Sequence, residues 1–122
     1  MNILLINDTE SAEDFAFMLG ILGLKKHRVR AIFPSLEYAK MVCKKNSDKF
    51  DFIVIENCEE TLLFRINLIN ELATDFRDIY VISIGERKYE RRDMPNIQWF
   101  EKIEEAARFI AEHSDLKEEQ LR

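Results

Sequence analysis

Five short apolar runs, each separated from the next by a longer or more polar stretch, constrain this chain more than any other feature. The runs are Asn2–Ile6, Arg28–Phe33, Phe52–Ile55, Ile79–Ile84 and Ile97–Phe100. They are rich in Ile, Val and Phe and carry little charge, as strands of a parallel sheet covered on both faces do. Segments of helical period fit between and after them. The first runs from about Glu10 to Leu24, with Thr9 as a plausible N-cap and Gly23 near its end. The second follows Pro34, with Ser35 as its cap, and reaches about Lys45. The third covers about Glu59 to Ala73, and the last about Ile103 to His113. The link from the fourth run to the fifth, Gly85 to Asn96, is short and highly charged, with room for one helical turn or an irregular loop. This alternation predicts an α/β fold: a five-stranded parallel sheet, doubly wound, with helices on both faces and a shortened fourth connection.

A chain of 122 residues fits one domain and one core. We expect that domain over residues 1–113, with 114–122 a polar tail or the start of a linker to an output domain. The net charge of −5 gives no electrostatic drive toward nucleic acid or an anionic membrane. The basic cluster Arg87-Lys88 and Arg91-Arg92 is diluted by Glu86, Glu90 and Asp93, and reads as a solvated loop. Cys43 and Cys58 lie in apolar contexts without CxxC spacing, which suits two buried thiols in a reducing compartment. No signal peptide and no membrane-spanning run is evident, so the expected location is the cytoplasm.

Helical spacing names the core faces. Phe15, Leu19 and Leu22 share one face of the first helix; Leu62, Ile66, Ile69 and Ala73 line the third. Ile103, Ala106, Ala107 and Ile110 line the last. Two helices carry a second apolar stripe: Phe17, Ile21 and Leu24 on the first, and Phe64, Leu68 and Leu72 on the third. One stripe covers the sheet, and the other meets a neighbouring helix or a partner chain. The expectation is a homodimer, with Phe64, Leu68 and Leu72 beside the shortened connection as its contact.

Candidate chemistry sits at the strand ends, where open α/β sheets build their sites. Asp8 closes the first strand and Glu56 the third. The loop Asn7-Asp8-Thr9-Glu10-Ser11 lacks the glycines of a phosphate-binding loop, and neither a GxGxxG nor a Walker pattern occurs. Carboxylates there suit a hard divalent cation such as Mg²⁺, held weakly by Asp8 and Glu56. Asp8 and Glu10 would also favour the N-terminus of the following helix without any ligand. Lys102, just after the fifth strand, is a cation within reach of the same edge or a plain surface lysine. His27 and His113 read as surface or boundary residues, and Trp99 as core. No Ser-His-Asp or Cys-His arrangement is present, and no cofactor is expected.

In order and spacing, these residues resemble the receiver domains of bacterial response regulators, over about Met1 to His113. Asn7-Asp8 stands where that family has an acidic pair. Asp51-Phe52-Ile53-Val54-Ile55-Glu56 keeps the spacing of its phosphoacceptor strand but ends in Glu. Gly85, or Ile84 in a shifted alignment, stands where the family has a Ser or Thr; Ser83 lies earlier. Lys102-Ile103 keeps the lysine of a Lys-Pro pair. A narrower likeness, in Leu4-Leu5-Ile6-Asn7-Asp8 and Ile82-Ser83-Ile84-Gly85-Glu86, is to the atypical N-terminal receivers of flagellar master regulators of the sigma-54 type.

The resemblance implies a flavodoxin-like, receiver-like (β/α)5 fold, and the departures imply lost chemistry. Receivers transfer a phosphoryl group to an aspartate with Mg²⁺, and a hydroxyl and a lysine read the result. Asn7 removes one charge from the metal site, Glu56 is one methylene too long, and the hydroxyl is missing. The expectation is a phosphorylation-independent pseudo-receiver. It would be non-enzymatic and act through a protein partner or its own output domain, in a transcriptional regulator if the narrower likeness holds. The alternatives are an active but atypical receiver, and a small-molecule-binding flavodoxin-like domain.

Overall fold

A computed structural model describes residues 1–6, 12–24, 26–32, 35–45, 50–55, 62–85 and 94–120, with the side chains of 12, 36, 62–65 and 114–120 excepted. Its elements are β1 (Asn2–Ile6), α1 (Ala12–Ile21), β2 (Arg28–Ile32), α2 (Leu36–Lys45), β3 (Phe52–Ile55), α3 (Leu62–Asp75), β4 (Tyr80–Ile84), β5 (Ile97–Phe100) and α4 (Ile103–Gln120). The five strands form one all-parallel sheet in the order β2-β1-β3-β4-β5. That is the flavodoxin-like order, with its switch point between β1 and β3. The expected fold class is therefore the observed one. Right-handed crossovers explain the layering. The chain winds outward from β1 to β2 and then back past β1 to β3, β4 and β5, so α1 and α2 fall on opposite faces.

Alternation along the strands feeds two cores. Ile3, Leu5, Phe52, Val54, Ile82 and Ile84 pack with Phe15 and Leu19 of α1 and with Ala106, Ala107 and Ile110 of α4. Leu4, Ile6, Ile53, Ile55 and Val81 pack on the other side with α2 and α3. β1 and β3 are buried on both faces, which is why both are unbroken apolar runs. Each such side chain contributes about 1.5–3 kcal/mol on burial.

Local chemistry sets the helix ends. The Ser35 hydroxyl accepts from the Tyr38 amide at 3.3 Å and caps α2 as expected. α1 ends in a Schellman motif: Leu24 N–H donates to Leu19 C=O and Gly23 N–H to Gly20 C=O, each at 3.1 Å. Gly23 takes φ 93°, which a residue with a Cβ adopts only under strain. The proposed cap Thr9 lies outside the described residues. α4 runs on to Gln120, past the His113 boundary read from apolar spacing. Its Lys, Glu and Gln residues prolong a helix already nucleated against the sheet.

Two expectations about packing are corrected. Leu22 is 37% exposed rather than core, because the α1 turn lifts it off the sheet and Leu24 takes the buried place. Leu68 and Leu72 are fully buried and cannot form a dimer contact. α3 buries Leu68, Ile69, Leu72 and Ala73 together, and no helix separates β4 from β5 among the described residues. A helix that must cover this much sheet uses a wide apolar arc, so both of its stripes face inward. The Phe64 side chain lies outside the described residues.

Candidate functional site

The candidate site is the C-terminal edge of the sheet. β1 and β3 end in register, Ile6 opposite Ile55, so the two loops read as acidic leave from adjacent strand ends. Asn7, Asp8 and Glu56 themselves lie outside the described residues. So does Cys58.

β4 decides which groups that edge can offer. Ile84 is buried in the α1/α4 core, and the strand stops there. Gly85 follows with φ 143°, and its amide donates to the Phe100 carbonyl at 2.9 Å. A side chain at Gly85 would be strained by that backbone. Ser83 carries the nearest hydroxyl, but it pairs with Ile55 and Trp99 and so faces the α2/α3 layer, opposite to Ile82 and Ile84. It is 1% exposed, and its hydroxyl oxygen has no hydrogen-bond partner among the described residues. Ser83 is thus a buried core residue, aimed away from the face that Val54 and Ile84 share.

Lys102 stands at the start of α4, as its N-cap. Its amide donates to the Glu105 carboxylate at 3.2 Å, one half of a capping box. The residue is exposed. Any pairing with an acid of the β1 or β3 loop is therefore solvent-screened, worth about 0–1 kcal/mol rather than the several kcal/mol of a buried pair. The salt bridges found among the described residues are elsewhere. Lys40 of α2 pairs with Glu71, and with Asp75 at 3.6 Å, and so ties α2 to α3. The hydrogen bond to Glu71 is the main cause that holds the Lys40 ammonium above its ordinary pKa.

At the opposite edge, Asp51 is a structural residue. Its carboxylate accepts from the Asn2 amide at 2.9 Å, and its own amide donates to the Asn2 carbonyl at 2.8 Å. An open hollow of about 300 Å³ lies at that same edge, lined by Arg77, Asp78, Ile79, Tyr80, Pro95 and Asn96. Asn96 is buried there, and its amide group donates to the Ala73 carbonyl at 3.0 Å and the Ile79 carbonyl at 3.1 Å. Sequence reasoning passed over Asn96, since nothing local marks carbonyls so distant along the chain as its acceptors. It also passed over the setting of His113, whose Nδ1 donates to Phe109 C=O at 2.9 Å and whose ring lies 5.5 Å from Tyr80. No helix among the described residues is long and apolar enough to cross a membrane.

The sequence matches no family model and no curated protein. Among solved structures it is similar to a pilus assembly protein (cpaE) from Burkholderia thailandensis E264, with a TM-score of 0.58 and 17% identity over 92% of this chain and 98% of that one. At that identity the two share a fold, and the fold of this chain is a flavodoxin-like, all-parallel five-stranded α/β sheet.

Proposed function

We propose that this chain is a phosphorylation-independent, receiver-like regulatory domain. It is not an enzyme, and it acts through contact with another protein or with its own output domain. The observation that carries this reading is the end of β4. The position where a receiver needs a hydroxyl is taken by buried Ile84 and then by Gly85 at φ 143°. The Ser83 hydroxyl faces the opposite layer. With no hydroxyl offered by the end of β4, a phosphoryl group beside it has no β4 side chain to pull on, and the coupling that receivers use is missing from this strand. Glu56 in place of the acceptor aspartate adds to this from sequence alone. The fold likeness to a protein named for pilus assembly fits a scaffold used for contact.

The test is intact-mass measurement after incubation with small phosphodonors and Mg²⁺. The mass is expected to stay unchanged. A stable, acid-labile phosphoryl adduct would show an active, atypical receiver instead.

A further inference from the structure

α1 is apolar on nearly every side, yet the sheet covers only one of them. Phe15 and Leu19 enter the core, while Phe17 is 71% and Ile21 70% exposed on the far side. These two stand one turn apart and form a continuous patch. A helix that is apolar all round is normally buried all round, and an exposed patch of this kind marks a partner site. Gly20 is exposed beside them, and a Cβ built there meets nothing within 4 Å. A partner's side chain can therefore approach the α1 backbone closely.

Charge says which partner. Glu13 is exposed in the first turn of α1, and Lys26 is exposed in the link that leads from the other end of α1 to β2. A helix flanked by an acid at one end and a base at the other is complementary to itself run antiparallel. Each Glu13 then meets the Lys26 of the other copy, and each Phe17 lies over the open Gly20. The neighbouring edge strand β2 does not compete for the contact. Its Arg28 and Arg30 are exposed, and charges on an edge oppose strand addition. A two-fold antiparallel pairing of β2 centred on Arg30 would also set arginine against arginine.

We infer that a second copy of this chain packs on α1, as a symmetric antiparallel helix pair across Phe17, Gly20 and Ile21. The inference rests on the proposed role only in naming a use for a permanently available surface. The contact itself does not require that role.

Sedimentation of the full chain, from micromolar to millimolar concentration and with or without phosphodonor, tests it. A dimer is expected in both conditions. Phe17→Glu should weaken it by about 100-fold or more. An unchanged far-UV circular dichroism spectrum would show that this solvent-facing substitution leaves the monomer folded. Glu13→Lys and Lys26→Glu should each weaken the dimer, and the double variant should recover it. A monomer at all concentrations would overturn the inference, as would a dimer indifferent to Phe17→Glu. Single reversals with no recovery in the double variant would overturn the antiparallel arrangement. A phosphoryl adduct would count against the proposed function alone and leave this interface standing.

Discussion

Cys43 shows how one buried side chain ties stability to pH. Its thiol sits in the α2/α3 core, and burial pushes its pKa from an ordinary 9.0 up to about 11. Desolvation disfavours the thiolate, so the folded protein holds this proton more tightly than the unfolded chain does. The contribution is complete below pH 9.0 and is lost as the pH rises through about 11. Its ceiling is about 2–3 kcal/mol. Urea unfolding of the parent and of Cys43→Ala, followed across that alkaline window, checks it. The parent should lose the more stability, because Tyr and Lys titrate alike in both proteins. The same desolvation makes Cys43 a slow target for alkylation, with Cys58→Ser as the background in which to measure it. Ser83 is the other instructive residue. Sequence places a hydroxyl near the end of β4, but strand parity sends it to the wrong face.

At the scale of elements, the glycines in and just after the last turn of α1 make a pair with opposite roles. Gly23 closes the Schellman turn at φ 93°, and nothing lies within 4 Å of an added Cβ. Gly23→Ala therefore costs backbone strain alone, about 1–2 kcal/mol. Gly20 lies within the helix, and its added Cβ likewise meets nothing. Gly20→Ala should stabilise the monomer by about 0.5–1 kcal/mol through helix propensity. Urea unfolding in dilute solution should show the two changes with opposite signs. Two losses of equal size would mean that the environment of α1, and not the left-handed turn, sets the cost.

For the whole molecule, the sheet is the shared wall of both cores, so neither core can open alone without exposing the other face of β1 and β3. A single cooperative transition follows. Trp99 is the one tryptophan, and it packs against the α2/α3 core. Its fluorescence and far-UV circular dichroism should trace coincident urea curves, although one reports a single layer and the other every helix. Separate midpoints would mean that the two layers melt independently. A midpoint that rises with protein concentration would in addition couple folding to the α1 contact.

By itself, the sequence determined the centre of the parallel sheet, since β1 and β3, buried on both faces, read as unbroken apolar runs; β2, expected to be covered on both faces, is instead an exposed edge that carries Arg28 and Arg30. It also determined the start of α2 at Ser35 and the stop of α1 at Gly23, whose geometry depends on neighbours in the chain. Gly85 was legible as a position without a hydroxyl, though not its φ. Only the tertiary structure decided which apolar stripes became core. Phe17 with Ile21 and Leu68 with Leu72 have the same spacing, yet the first pair is exposed and the second fully buried. Periodicity states that a face is apolar. Whether that face is covered depends on how much sheet each helix must span and on what lies beside it, and those neighbours come from distant parts of the chain. Asn96 is the same lesson in a polar group: its acceptors, at Ala73 and Ile79, come within reach only once α3 and β4 have packed together.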